Sequence, residues 1–206
     1  VDMILWTTFI DSLTGLITTL SGVLGGNMGF AILGLSLAVR FALLPLSLKR
    51  TRRAMERQNK MKLLQPRIEE FRKWHRNDPD RLTKDTLRLY REHDVKIVDK
   101  AGLLGGLLQA SLFIGMFTAI RAVVASGQRF LWIMDLARPD LLLTLFAAGL
   151  TFLSTVASPM VPGQARSLMT FLPVILTLVF LWQLSAGIGL YWVASSAVGV
   201  VQSLLL

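Results

Sequence analysis

Five apolar runs, each long enough to cross a bilayer as a helix, constrain this chain more than any other feature. A hydrocarbon core of about 30 Å needs about 20 apolar residues in helical form, with a range near 17–25. The runs cover 28–48, 101–124, 141–157, 168–184 and 188–206. The expected fold is therefore all-α: a polytopic membrane protein with five transmembrane helices. Composition agrees, because 53% of the 206 residues are hydrophobic and only 17% are charged. A soluble domain of this length has no interior large enough to hide so much apolar surface. The last two runs are parted by Ser185, Ala186 and Gly187 alone, which predicts a tight helical hairpin.

The charge is concentrated in one place. Seventeen of the 22 basic residues and nine of the 13 acidic ones lie within 49–100, giving that stretch +8 of the chain's +9. Lys and Arg are enriched in cytoplasmic loops, so 49–100 is expected inside the cell. The N-terminus, 125–140 and the turn at 185–187 are then external, and 158–167 and the C-terminus are cytoplasmic. In 125–140 Arg129 and Arg138 are balanced by Asp135 and Asp140.

Residues 1–27 are not expected to cross the membrane. Met3, Trp6, Phe9, Ile10, Leu13, Ile17 and Leu20 recur at helical spacing, with Thr7, Thr8, Asp11, Ser12 and Thr18 among the residues of the opposite face. That pattern predicts an amphipathic helix lying on the external leaflet, with Asp11 opposing a crossing. A sixth span is the alternative. Gly22, Gly25, Gly26 and Asn27 make the bend into the first span. Because the chain begins at Val1 and not at Met, a signal peptide could have preceded it.

Inside 49–100 the pattern is again helical. Met61, Leu64, Ile68 and Phe71 form one stripe, and Leu82, Leu89 and Tyr90 form another. Between them, Asp78 can cap a second helix that Pro79 opens. An antiparallel helical hairpin is expected, with the apolar seams facing each other. Its first turns carry Lys49, Arg50, Arg52 and Arg53. These suit anionic headgroups, and equally a docked partner such as ribosomal RNA. His75 and His93 stand in charged sequence and are expected to be solvated, with no metal role.

Arg40 is the most informative single residue. It sits within an apolar span, about 13 Å along the axis from Lys49. An arginine near mid-bilayer costs about 2.5–3.5 kcal/mol on insertion scales, so it is expected to face a bundle interior or a water-filled cavity. Ser36 and Ser47 share its face, and none of the spans contains an acidic partner. An unpaired cation suits attraction of something negative; a snorkelling arginine on lipid phosphate is the alternative. Gln109, Gln183, Gln202 and Ser195 add mild polarity in the other spans and are candidates to line the same cavity. Many of the remaining hydroxyls are expected to be helix-packing groups, as are Gly102, Gly105 and Gly106.

Several chemistries are excluded. Zero Cys removes disulfide scaffolds and Cys-ligated zinc or iron–sulfur sites. No GxxxxGK[ST], HExxH or GxSxG motif is present, and the spans carry no Asp, Glu or His relay. No catalytic residue, cofactor or metal is expected; the chain is not expected to be an enzyme.

With these residues in hand, the chain resembles the YidC family of membrane protein insertases, with its mitochondrial and thylakoid relatives. The resemblance lies in Arg40-Phe-Ala-Leu-Leu-Pro45-Leu in the first span, Gln65-Pro66 and Leu89-Tyr90-Arg in the hairpin, and Gln109 in the second span. Phe130-Leu-Trp132-Ile-Met-Asp135 in the external segment and Ala186-Gly187-Ile-Gly-Leu190-Tyr191-Trp192 in the last span complete it. The chain departs from the family pattern at 95–99, where Asn-Pro is usual, and at Ala110, Ser185 and Ser196. The resemblance is to a compact form, expected without the large external domain of many Gram-negative members. The resemblance implies a bacterial inner-membrane insertase and chaperone with a hydrophilic groove around Arg40. Its clients would be nascent or newly made membrane proteins, with the ribosome, the Sec translocon and the lipid bilayer as further partners, and no small-molecule substrate. Two other classes stay open from the residues alone: an anion or small-solute transporter using Arg40, and a scaffold recruiting a partner through the basic hairpin. Five unequal spans without an internal repeat count against the transporter.

Overall fold

The computed structural model describes residues 2–75, 78–95, 100–124, 127–158 and 166–206. Seven helices follow in order: α1 (Asp2–Val23), α2 (Met28–Trp74), α3 (Pro79–Glu92), α4 (Lys100–Val123), α5 (Leu141–Ala157), α6 (Arg166–Leu181) and α7 (Ala186–Leu204). Among the described residues there is no strand beyond one isolated antiparallel bridge, Phe130 to Ile133. The fold is all-α, as expected. Four helices hold stretches long and apolar enough to cross a membrane: Ile4–Val23, a window within α2, Gly102–Val123 and Ala186–Leu204. α5 and α6 are apolar but shorter, with 17 and 16 residues.

Helix ends and apolar runs part at α2 and at the α6–α7 turn, and α1 is apolar enough to span. α2 does not stop where the apolar run meets Lys49, because charge does not break a helix and Lys, Arg, Met, Gln and Glu are good helix formers. α1, expected to lie flat, has the length and composition of a span. α6 ends at Leu181 and α7 begins at Ala186, so the turn between them is 182–185 and not 185–187. Its cause is remote in sequence: the Arg138 carbonyl accepts from the Ala186 N–H at 2.8 Å, and the Leu136 carbonyl from the Gly187 N–H at 3.0 Å. Those two carbonyls serve the first N–H groups of α7, where Ser185 makes no side-chain cap.

The chain forms two compact units. The larger holds 1–46 and 108–206, and the smaller 47–107. In the larger unit, Ile17, Ile32, Met116, Ile120, Ile133, Leu136, Leu181 and Ile188 are fully buried. Small residues let its helices close up. A methyl at Gly187 would meet Val124 and Ile120, and one at Gly189 would meet Leu143. The buried hydroxyls bond their own helices: Ser36 donates to the Ile32 carbonyl at 2.6 Å, and Thr177 to the Pro173 carbonyl at 2.8 Å. These two hydroxyls are thereby satisfied within their own helices. Outward faces are apolar, with Phe41, Leu145, Phe146, Phe171 and Val179 all exposed.

In the smaller unit Leu64, Leu89 and Val95 are buried, with Ile68, Phe71 and Tyr90 packed on them. Asp78 caps α3 as expected, its carboxylate accepting from the Arg81 N–H at 3.0 Å, with Pro79 in the first turn. Met61, expected in the seam, is exposed. His75, expected to be solvated, is four-fifths buried and its Nε2 lies 2.9 Å from Asp85 Oδ2, tying the end of α2 to α3.

Candidate functional site

Three helices converge on Arg40, which is half-buried on α2. Its Nε donates to Ser195 Oγ on α7 at 2.9 Å. With the Gln109 amide oriented oxygen-inward, its Oε1 accepts from the two terminal guanidinium nitrogens at 2.7 and 3.2 Å. The guanidinium carbon also lies 5.9 Å from the ring centroid of Tyr191, close enough for the ring face to favour a cation. Among the described residues no carboxylate pairs with Arg40. A guanidinium has five N–H groups; Ser195 and Gln109 take three, and one remains on each terminal nitrogen.

Arg40 borders a cavity of about 300 Å³. Thr151, Ser154 and Thr155 of α5 line it together with Ser195, Ser196 and Gly199 of α7. The spacing 151, 154, 155 places the three α5 hydroxyls on one helix face. Thr151 Oγ1 lies 3.2 Å from Ser196 Oγ and accepts a long contact from Thr177 at 3.5 Å. Phe113, Tyr191 and Trp192 complete the lining. Phe113 meets Tyr191 at 5.9 Å between centroids and Trp192 edge-on at 5.8 Å. The buried Tyr191 hydroxyl has no partner. A fixed cation, a row of neutral hydroxyls and an aromatic wall therefore share one space. That set can solvate a polar, negatively charged segment and exclude a second cation.

Of the residues singled out from sequence, Arg40, Gln109 and Ser195 come together. Ser36 is buried against its own helix, and neither Gln183, exposed in the turn after α6, nor Gln202 lines the cavity. Thr151, Ser154 and Ser196 were visible as polar breaks in apolar runs. Phe113, Tyr191 and Trp192 gave no such signal, because an aromatic in a span reads as lipid contact or core. Lys49, Arg52 and Arg53 are exposed, whereas Arg50 is only partly so. Its guanidinium lies where a methyl at Gly105 would sit, and its Nε is buried without a partner. Arg50 thus packs inside the smaller unit and is not free in the way its neighbours are.

Fold and pocket together define a helical membrane protein with a lone arginine held in a polar cavity. The chain belongs to the 60Kd inner membrane protein family, the YidC-type family, whose model matches residues 19–206. It is 33% identical, over 98% of its length, to the "Membrane protein insertase YidC" of Actinobacillus succinogenes, and 32% identical over 98% to that of Actinobacillus pleuropneumoniae. A protein of the same name from Histophilus somni is also 32% identical over 98%. The chain spans 37% of the length of each of these relatives. Such relatives and the apolar helices make this a bacterial membrane protein.

Proposed function

We propose that the chain is a membrane protein insertase core that takes the short hydrophilic tail of a client into the Arg40 cavity and releases the client's apolar segment into lipid. The observation that carries this is the guanidinium held between Gln109 and Ser195 with two N–H groups left over and no carboxylate partner among the described residues. A client carboxylate supplies the missing charge for the time it takes to pass. The hydroxyls of Thr151, Ser154 and Ser196 stand in for water along the rest of the tail. Driving force comes from the client itself, since each CH₂ moved from water to lipid contributes about 0.8 kcal/mol. No nucleotide or covalent step is required.

The names of the relatives support the same role. The basic excess of 49–100 supports a cytoplasmic placement of that stretch, with the N-terminus outside. Exposed Lys49, Arg52 and Arg53 are then available for headgroups or for a delivery partner such as the ribosome or the Sec translocon.

The test is insertion of a single-span client with an acidic tail into liposomes holding the purified chain. Insertion above that of empty liposomes is expected. An equal yield in empty liposomes would remove the insertase reading and leave a scaffold; a substrate-driven anion flux would replace it with a transporter.

A further inference from the structure

The segment between α4 and α5 splits its large apolar side chains in two. Phe130, Ile133 and Leu136 are 2%, 2% and 0% exposed, while Leu131, Trp132 and Met134 between them are 68%, 50% and 75% exposed. Backbone hydrogen bonds close this tip. The Phe130 N–H donates to the Ile133 carbonyl at 3.0 Å and the Ile133 N–H to the Phe130 carbonyl at 2.8 Å, closing a two-residue loop at Leu131 and Trp132. Below it, Phe130 meets Phe30 edge-on at 4.9 Å. Asp135 Oδ1 accepts from the Ala137 and Gly127 N–H groups at 3.0 and 3.2 Å.

Leu131 adopts φ +49°, a region that favours glycine. A glycine would make the turn without strain, yet an exposed leucine stands there. Trp132 donates its indole N–H to Asp140 Oδ1 at 3.3 Å, so its polar end is satisfied within the protein while its apolar body faces out. Asp140 is also the N-cap of α5, whose first turn exposes Leu141 and Leu142. The tip therefore continues the apolar outer face of a helix. Arg129 and Arg138 flank it, both exposed.

We propose that Leu131, Trp132 and Met134 form an anchor in the lipid–water interface, their side chains among the headgroup and upper acyl regions and Arg129 near lipid phosphates. A tryptophan with one satisfied polar end beside aliphatic side chains and cations is the composition that interface selects. In water the same tip would expose three large apolar groups to no purpose. The anchor holds the segment whose carbonyls start α7, and so fixes the depth of that end of the bundle.

The chain has no cysteine, which permits single labels. Nitroxides at Leu131→Cys, Met134→Cys and Arg138→Cys, in the full chain in phosphatidylcholine–phosphatidylglycerol vesicles, would be compared for collision with oxygen and with a water-soluble nickel chelate. Labels at 131 and 134 should favour oxygen, and the label at 138 should favour nickel. Nickel reaching 131 and 134 as readily as 138 overturns the proposal, as does neither reagent reaching them, which would indicate cover by protein. A label-free check is Trp132→Phe: it should remove part of the fluorescence quenched by shallowly brominated lipid. Unchanged quenching contradicts the anchor.

Discussion

Replacing Arg40 by glutamine keeps a polar side chain of similar reach and removes the charge. In the native pocket three of five N–H groups are occupied by Ser195 and Gln109, so an incoming carboxylate gains one charge-assisted hydrogen bond from a nitrogen already held in place. Such a bond contributes about 1.5–3 kcal/mol net. The bare Coulomb attraction at about 4 Å and an effective dielectric near 20 is about 4 kcal/mol, so the carboxylate's desolvation offsets part of it. Converted to rate, 1.5–3 kcal/mol is roughly 10- to 150-fold. A tail with Asn and Gln in place of Asp and Glu makes only a neutral bond, about 0.5–1.5 kcal/mol, and loses roughly 2- to 10-fold. The assay is initial insertion rate in proteoliposomes for two clients that differ only in those tail residues. Arg40→Gln should slow the acidic client by at least several times more than the neutral one. Arg40→Lys should restore most of the difference, because a mobile tail needs charge more than fork geometry. Equal slowing of both clients by Arg40→Gln would refute the electrostatic role and leave Arg40 a packing residue.

Three further outcomes follow from the geometry. Ser195→Ala removes the acceptor at Arg40 Nε and frees the guanidinium to swing; acidic-client insertion should fall a few-fold with the chain's thermal stability in detergent nearly unchanged. Asp140→Ala removes the cap accepted from the Leu143 N–H at 2.7 Å and should cost about 1–2 kcal/mol in reversible unfolding, whereas Asp140→Asn should retain most of it. Gly105→Ala places a methyl where the Arg50 guanidinium lies and should turn that flexible side chain out to solvent, with little loss of stability because alanine is the better helix former by about 1 kcal/mol. Accessibility at Arg50, read by a label or by trypsin cleavage, should therefore rise in the variant, and unchanged accessibility would show that the two residues do not meet.

The helices were legible because lipid imposes one rule: apolar runs near 20 residues become helices, and those of α2, α4 and α7 needed nothing else. Asp78 and Pro79 were equally plain, since capping acts over three residues. Arg40 was conspicuous for the opposite reason, a charge where charge is costly. Less legible was everything set by rotation between helices. Gln109, Gln183 and Gln202 look alike in sequence, and only the packing of α4 against α2 and α7 selects the first. Arg50 looked like its exposed neighbours because nothing local signals that Gly105, 55 positions on, leaves a slot for it. The early start of α7 escaped for the same reason, its acceptors lying on a segment nearly 50 residues upstream.

That last feature bears on how the protein is made. The carbonyls of Leu136 and Arg138 emerge from the ribosome well before Ala186 and Gly187 do. Without those carbonyls, the leading N–H groups of α7 would have to rely on water or headgroups at the membrane surface. With the acceptors already in place, the final helix has a berth before it is synthesised. The order of elements along the chain therefore matches an order of assembly in which the last helix completes a structure prepared by the middle of the sequence.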